Sequence, residues 1–491
     1  MSDQKGDLRH LETLDRDLDR YSNLEVATAY VSRPMVGTGI ALVFVVLAGI
    51  AAMLFLDQSN NSVIVVIAAC LGAYMALNIG ANDVANNMGP AVGANALTMG
   101  GAIAIAVIFE SAGALLAGGD VVSTIAKGII APESMGTAPV FIWAMMAALL
   151  SAALWVNLAT WIGAPVSTTH SVVGGVMGAG IAAAGFGAVN WSTMSGIAAS
   201  WVISPVLGGA IAAGFLWLIK SRIVYRDDKI ASARVWVPIL VGIMAGTFTA
   251  YLALKGLNKV FDISMLLIGT ATGVVIWAVM IPVIRKQSEG LENRNKSLKV
   301  LFGIPLVVSA ALLSFAHGAN DVANAVGPLA AIVHASESGD FLGAVSIPAW
   351  VMVIGAFGIS FGLFLFGPKL IRMVGGQITK LNPMRAYCVA LSAAITVIVA
   401  SWLGLPVSST HIAVGGVFGV GFFREWDAER RIRKARIAMP ERTKFAPEER
   451  RRRKLVRRSH FMTIIAAWII TVPAAALLSG GLFLLINAAV G

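Results

Sequence analysis

The chain has few charged residues and few cysteines for its length. Only 13% of its 491 residues are Asp, Glu, Lys or Arg, about half the fraction usual in soluble proteins. The two cysteines, Cys70 and Cys388, both lie in apolar segments and indicate neither a disulfide framework nor a metal site. No secretory signal is visible at the start. Residues 1–34 are polar with leucines at helical spacing, which predicts an amphipathic helix.

Long apolar runs take up most of the chain. Hydrophobic residues make up 57% of it, the mean hydropathy is +0.79, and the runs include residues 35–56 and 237–254. A helix of about 20 apolar residues crosses the hydrocarbon core, and backbone groups in lipid must be satisfied within the protein. The sequence therefore predicts an all-α, multi-pass protein of the cell membrane, the inner membrane in a Gram-negative source.

The positive charge is concentrated in one hydrophilic segment. The net charge is +11, and residues 424–458 hold fifteen Lys or Arg against six Asp or Glu. Such a run can bind nucleic acid, but between two membrane spans it is more simply a cytoplasmic loop that follows the positive-inside rule. We therefore expect no nucleic-acid partner, and the basic loops 220–235 and 285–299 should lie on the same side.

Two motifs occur twice, in the same order. Residues 80–90 (GANDVANNMGP) and 318–328 (GANDVANAVGP) are identical at nine of eleven positions. Residues 165–180 (PVSTTHSVVGGVMGAG) and 406–421 (PVSSTHIAVGGVFGVG) are identical at eleven of sixteen. Internal repeats with interrupted hydrophobic segments at matching positions indicate a secondary transporter.

The duplication divides the chain into seven segments and predicts a bundle with broken helices and re-entrant helical hairpins. Whether the two repeats are inverted depends on the number of membrane crossings between them. In order, the segments are the polar segment 1–34, an extra transmembrane helix 35–60, the first transport repeat 61–219, a linker of loops and two transmembrane helices 220–298, the core of the second repeat 299–423, the basic loop 424–460, and a C-terminal transmembrane helix 461–491.

The first motif places aspartates at membrane depth, where a charged side chain costs about 2.5–3.5 kcal/mol. Neighbouring Gly and Pro favour a broken helix, whose free carbonyls can join carboxylate and amide oxygens around a small hard cation. The alternative is that each Asp caps a helix and each Asn bridges two helices. The candidate cation-binding or coupling residues, with the acid of IFESAGALLAG included, are Asn82, Asp83, Asn86, Glu110, Asn320, Asp321 and Asn324.

The second motif begins with a proline and continues with hydroxyl side chains. Proline favours the first position of a helix, so the motif predicts helix N-termini within the membrane. Free backbone N–H groups, the helix dipole and hydroxyls together suit a tetrahedral oxyanion. The alternative is ordinary capping by Ser or Thr. The candidate anion-binding residues are Ser167, Thr168, Thr169, Ser408, Ser409 and Thr410.

Four other polar residues have less definite roles. Glu110 either couples ion movement or makes an internal hydrogen bond in its protonated form. His170 and His411 either carry a proton or, as we favour, hold a helix start. His317 has no counterpart in the first half and is assigned no role, and Lys127 marks a helix end.

The duplicated motifs, together with FESAGALLAG and TIAKGI, resemble those of the inorganic phosphate transporter family, often called PiT. The resemblance covers most of the chain outside residues 1–60 and 424–460. It implies two inverted repeats with helical hairpins, whose hydroxyl-bearing tips hold phosphate near the midplane while cations lie near the Asn-Asp pairs. Animal members carry a glutamate where Ala390 stands and a longer loop between the halves, so the resemblance is to a prokaryotic member.

The sequence predicts a symporter of inorganic phosphate with Na⁺ or H⁺, embedded in a lipid bilayer, without a cofactor or a metal other than transported Na⁺, and compatible with a homo-oligomer. A sulfate permease of the same fold and a passive anion channel are the alternatives. An intramembrane hydrolase would need a serine paired with a histidine, but two equal sets of hydroxyls suit symmetric coordination better. Neither HExxH nor a Walker-type phosphate loop is present, so we expect no enzyme and no direct ATP drive.

Overall fold

The computed structural model describes residues 36–55, 62–162, 166–256, 263–339, 343, 345–373, 382–438 and 458–490. The amphipathic helix predicted for residues 1–34 lies outside these residues. Within them the chain is helical almost throughout, and the β-type pairing is one isolated bridge between Ile130 and Val189.

The helices of the first half and of the linker are numbered here in chain order. They are α1 Val36–Phe55, α2 Ser62–Asn82, α3 Val84–Gly93, α4 Met99–Ala117, α5 Gly119–Ser123, α6 Ala138–Ile162, α7 Thr168–Ala184, α8 Trp191–Ile219, α9 Lys229–Gly256 and α10 Ile263–Gln287. Short π-helical turns follow α5 and α8, and the first of these, Thr124–Gly128, contains Lys127.

The second half begins with the short helix α11. Its helices are α11 Asn295–Leu301, α12 Gly303–Asp321, α13 Ala323–Ser338, α14 Ala349–Met373, α15 Pro383–Trp402, α16 Ser409–Ala438 and α17 Arg458–Val490. Among the described residues, 11 helices are long and apolar enough to cross a membrane, which confirms the predicted all-α, multi-pass architecture.

The two halves interlock by exchanging helices at two close crossings. Helix α2 of the first half packs on α14 of the second, and α12 of the second packs on α4 of the first. A Cβ on Gly80 would lie 1.9 Å from the Ile359 carbonyl oxygen, and one on Gly318 would lie 2.1 Å from that of Glu110. The glycines before the two aspartates therefore allow helix backbones to touch.

The same crossings show which residues of the partner helices are equivalent. A Cβ on Gly113 would lie 2.0 Å from the Phe315 carbonyl oxygen, and one on Gly362 would lie 2.0 Å from that of Leu77. Leu77 and Phe315 each stand three residues before the repeated glycine of the first motif. Gly113 and Gly362 are thus matched positions.

Two helical hairpins, α6–α7 and α15–α16, bring the second motif into the protein interior. In each hairpin the two helices pack together, while α7 also packs on α17 and α16 also packs on α8. The second helix of each hairpin thus packs on a helix of the other half. The residues at both tips, Ser167 and Ser408 among them, are buried.

Three details differ from the sequence-based expectations. Pro90 and Pro328 lie inside helices α3 and α13, where each removes one backbone hydrogen bond, and the interruptions fall at Asp83 and Val322 instead. Pro406 lies in the non-helical segment before Ser408 and does not open α16. Residues 424–438 continue α16, so the predicted loop can span at most residues 439–457, which are not described.

The basic loops lie together at one end of the bundle, as expected. Lys220 Nζ lies 2.7 Å from Asp427 Oδ2, which joins the end of α8 to the extended part of α16. Asn293 Nδ2 donates to the Asp227 carbonyl oxygen at 2.7 Å and so joins the loop 285–299 to the loop 220–235. The positive-inside rule predicts that this end faces the cytoplasm.

Candidate binding site

The tips of the two hairpins meet at the first turns of α7 and α16. Ser167 caps α7 by accepting from the His170 backbone N–H at 3.2 Å, and Ser408 accepts from that of His411 at 3.4 Å. Capping, the alternative considered from the sequence, therefore describes these two hydroxyls. The tips also touch directly, since Thr169 Oγ1 donates to the Val407 carbonyl oxygen at 3.1 Å.

Asp83 accepts hydrogen bonds from both hairpin tips. Thr168 Oγ1 donates to its Oδ2 at 2.7 Å, and Thr410 Oγ1 donates to its Oδ1 at 3.2 Å. Asn86 Nδ2 lies 2.9 Å from Thr410 Oγ1, so Asp83 and Asn86 share a helical face as their spacing predicts. Asp83 makes no capping bond to α3, which excludes the capping alternative for this residue.

Asp321 has a similar environment on the other side of the tips. Ser409 Oγ donates to its Oδ2 at 3.2 Å. Asn324 Nδ2 donates across the halves, at 3.4 Å to Thr168 Oγ1 and at 3.2 Å to Thr169 Oγ1. Thus both asparagines that follow the aspartates bridge to a hairpin tip, which agrees with the bridging role considered for them.

The two aspartates lie close together, with a histidine beside them. Single ligand atoms of Asp83, Asp321 and His317 all lie within 4.8 Å of one another, and all three residues are buried. At this separation two unit charges repel by about 3 kcal/mol in an effective dielectric constant of about 20. A cation or a proton among these groups would relieve that repulsion, so the cluster suits cation binding.

His317 is the functional candidate that the sequence reasoning missed. Its Nδ1 lies 2.5 Å from Glu110 Oε2, and its Nε2 lies 2.7 Å from Asp321 Oδ2. Glu110 also accepts from Asn87 Nδ2 at 2.9 Å. The ring therefore lies within ion-pair distance of two buried carboxylates. Glu110 is therefore connected to Asp321 through one ring.

The Glu110–His317 pair has no equivalent on the side of Asp83. His317 precedes Gly318 as Ile79 precedes Gly80, and Glu110 stands three residues before Gly113 as Ile359 stands three residues before Gly362. Two isoleucines therefore take the place of the acid and the base. The signal for the pair was present in the sequence: one acid and one base within apolar segments, both without a counterpart.

The remaining predicted cation ligands bond to the hairpins away from the carboxylate cluster. Asn82 Nδ2 donates to Thr160 Oγ1 at 2.7 Å, near the end of α6. Asn320 Nδ2 donates to Ser401 Oγ at 2.9 Å, and its Oδ1 accepts from the Val407 N–H at 3.3 Å. These two asparagines hold the hairpins in matched ways.

The two histidines of the second motif stack on each other beneath the tips. The ring centroids of His170 and His411 are 4.6 Å apart, and His170 also contacts the ring of Trp201 edge-on at 3.9 Å. Trp201 Nε1 donates to the Pro406 carbonyl oxygen at 3.0 Å. These rings join the starts of α7 and α16 by stacking.

Comparison with known proteins identifies the family. The model of the phosphate transporter family matches residues 79–479. The chain belongs to the phosphate transporter family. Within this family, it is 45% identical to a candidate phosphate permease of Helicobacter pylori, over 95% of this chain and 98% of the relative. It is also 37% identical to an Arabidopsis thaliana protein named inorganic phosphate transporter 2-1, chloroplastic, over 83% of this chain and 70% of the relative.

A solved structure has the same fold as this phosphate transporter family member. It is named the sodium-dependent phosphate transporter, is 36% identical to this chain, and superposes with a TM-score of 0.78 over 87% of this chain and 99% of its own. The resemblance drawn from the repeated motifs is thereby confirmed, and so is the assignment as a transporter rather than an enzyme. The inversion of the repeats stays a prediction.

Proposed function

We propose that the protein carries inorganic phosphate across the membrane by symport with a cation, with the anion held between the two hairpin tips. The observation that carries this proposal is the convergence of Thr168 and Thr410, one from each half, on the single carboxylate of Asp83. Hydroxyl donors, two helix N-termini and buried carboxylates meet at one point, which supplies groups for both an oxyanion and a cation.

The coupling follows from charge. A phosphate that enters between Asp83 and Asp321 meets two like-charged groups in a buried site, so its entry alone is unfavourable. A cation bound by the carboxylates removes that repulsion, and neither ion then binds well without the other. Since the structural relative is named as sodium-dependent, Na⁺ is the first cation to test.

The carboxylates also favour phosphate over sulfate. Near neutral pH phosphate keeps at least one proton and can donate a hydrogen bond to a carboxylate, whereas sulfate only accepts. Because Asp83 and Asp321 face the hydroxyls of both tips, an anion among those hydroxyls would touch them. A sulfate in that place would leave a buried carboxylate without a donor, which is costly.

The direct test is uptake of radiolabelled phosphate into proteoliposomes that contain the purified protein. We expect accumulation when an inward Na⁺ gradient is imposed and little inhibition by excess sulfate. Accumulation driven by a proton gradient alone would identify H⁺ rather than Na⁺ as the coupling ion. Displacement by sulfate would change the substrate, and equal uptake with and without any gradient would contradict symport.

The tip threonines give a second test. Thr168→Val or Thr410→Val removes a donor but keeps the volume, so the apparent KM for phosphate should rise about tenfold or more, as for hydrogen bonds to charged groups. Thr168→Ser should preserve affinity. The control is Thr249→Val, whose hydroxyl donates to the Ala245 carbonyl oxygen of its own helix. An unchanged KM in both tip variants would contradict the proposed anion site.

A further inference from the structure

A large apolar cavity lies between α8, α16 and α17, on the far side of the stacked histidines from the carboxylates. Its volume is about 1110 Å³, and its floor is formed by His170 and His411. The polar side-chain atoms among its lining residues are the ring nitrogens of these histidines and of two tryptophans, Trp201 and Trp426. A hydrated phosphate ion finds few partners on such a mostly apolar surface, so this cavity is poorly suited to be its path.

The cavity opens sideways, toward the surface that faces lipid. Val202 and Val206 on α8 are each 69% exposed, and Ile469 on α17 is 68% exposed. In a chain that spans a membrane, such exposed apolar side chains border the hydrocarbon core. A bilayer lipid can therefore enter the cavity from the side without crossing water.

A second, polar cavity of about 400 Å³ adjoins the first and shares Phe423 and Trp426 with it. It is lined by three basic side chains and one acid, at the end of the bundle where the basic loops lie. The charged lining residues are Lys220, Arg430, Arg431 and Asp427. The joined space therefore runs from a basic pocket at the membrane boundary to an apolar floor inside it.

The basic pocket keeps a net positive charge after its internal pairing. Asp427 pairs with Lys220 at 2.7 Å, accepts from the Tyr225 hydroxyl and lies 3.7 Å from Arg431. Although its burial acts to raise the pKa of Asp427, these partners hold it below its usual value, so one negative charge opposes three positive ones. Arg430 stacks over Trp426 at 5.2 Å to the ring centroid, an arrangement that leaves its charge at the mouth of the pocket.

We propose that the joined cavities bind one anionic phospholipid of the bilayer, with its phosphate at Arg430 and Arg431 and an acyl chain in the apolar cavity against His170 and His411. Basic pockets between membrane helices at the cytoplasmic end suit anionic headgroups, and a tryptophan at the boundary suits the interface. Free inorganic phosphate would leave the apolar cavity without an occupant, so the bilayer is the source.

The proposed lipid would lie on the side of the hairpin tips opposite to the carboxylates and would affect transport through the histidine rings. Its acyl chain would touch the histidine rings that follow Thr169 and Thr410 in the chain, at the starts of α7 and α16. A filled cavity would hold those first turns in place. The protein would then be more stable in a bilayer that contains anionic lipid than in a purely zwitterionic one.

The headgroup half of the proposal is tested by native mass spectrometry of the detergent-solubilised full-length protein with added phosphatidylglycerol or phosphatidylcholine. We expect one tightly held phosphatidylglycerol and no equivalent phosphatidylcholine. Arg430→Glu changes the local charge by two units and should weaken this binding at least about tenfold. The control is Arg433→Glu, an exposed arginine of the same helix that lines neither cavity.

The acyl-chain half is tested by filling the apolar cavity. Ala210→Trp places a large ring among the lining residues and should abolish retention of phosphatidylglycerol, whereas Leu207→Trp, on an exposed face of α8 outside the cavity, should not. Equal retention of both lipids by the wild type, or unchanged binding in both Arg430→Glu and Ala210→Trp, would overturn the proposal. Binding lost only in Arg430→Glu would reduce it to a headgroup contact and overturn the acyl-chain assignment.

Discussion

Replacing either buried aspartate by asparagine should lower the rate of cation-driven phosphate uptake about a hundredfold or more. The protein should remain folded in the membrane. Asparagine has the shape of aspartate and can accept from the hydroxyls of Thr168 or Ser409, but it carries no charge to bind a cation. Initial rates of phosphate uptake into proteoliposomes under an imposed Na⁺ gradient measure the effect.

The control for Asp83→Asn and Asp321→Asn is Asp227→Asn in the surface loop, which should transport at the wild-type rate because its carbonyl oxygen, rather than its side chain, joins the neighbouring loop. Normal gradient-driven uptake in either buried variant would remove that aspartate from the coupling mechanism. Loss of protein from the membrane would instead show a structural effect, so reconstituted amounts must be matched.

Removing His317 alone should destabilise the protein strongly. His317→Ile leaves Glu110 buried with only the amide of Asn87 as a partner, and breaking a buried ion pair costs about 3–5 kcal/mol. The double variant Glu110→Ile/His317→Ile copies Ile359 and Ile79 of the other half, and apolar replacement of both partners is often neutral. The midpoint of thermal unfolding in detergent should thus fall by several degrees in the single variant and recover in part in the double, in which Asp321 still lacks its histidine partner.

Transport separates the structural role of this pair from its functional one. In the stable double variant Asp321 has lost its only basic neighbour within the described cluster, so phosphate uptake should remain at least about tenfold below wild type. Wild-type uptake in the double variant would show that the pair is structural only. A double variant no more stable than His317→Ile would contradict the equivalence of the two crossings.

Much of the fold and the candidate residues could be predicted because the chain repeats itself. The doubled motifs identified Asp83, Asp321 and the tip hydroxyls because each of these features occurs in both halves. The same method hid His317, which was set aside because it lacks a counterpart. When a polar residue of a duplicated membrane protein occurs in only one half, other unpaired polar residues should be tested as its partner. The reason is that a lone charge in lipid is costly.

Other features depend on tertiary packing that a repeat pattern does not specify. The bond from Thr410 to Asp83 crosses the halves, and nothing in either motif tells which tip faces which carboxylate. The extension of α16 to Ala438 was predicted as a loop because its residues are hydrophilic. Arg, Glu and Lys are good helix formers, however, and opposite charges at i and i+4 such as Asp427 and Arg431 support a solvated helix.

The contacts between helices of the two halves can form only after the second half has been synthesised. Helices α2 and α4 leave the ribosome long before α14 and α12, their glycine-matched neighbours, have been made. At ~5–20 residues per second the delay is roughly 10 to 60 s. Throughout that time Glu110 lacks its imidazole partner His317, and Asp83 lacks the second of its hydroxyl partners, Thr410. Because an unpaired carboxylate is costly in lipid, we expect these segments to be stably inserted only after the second half has been made.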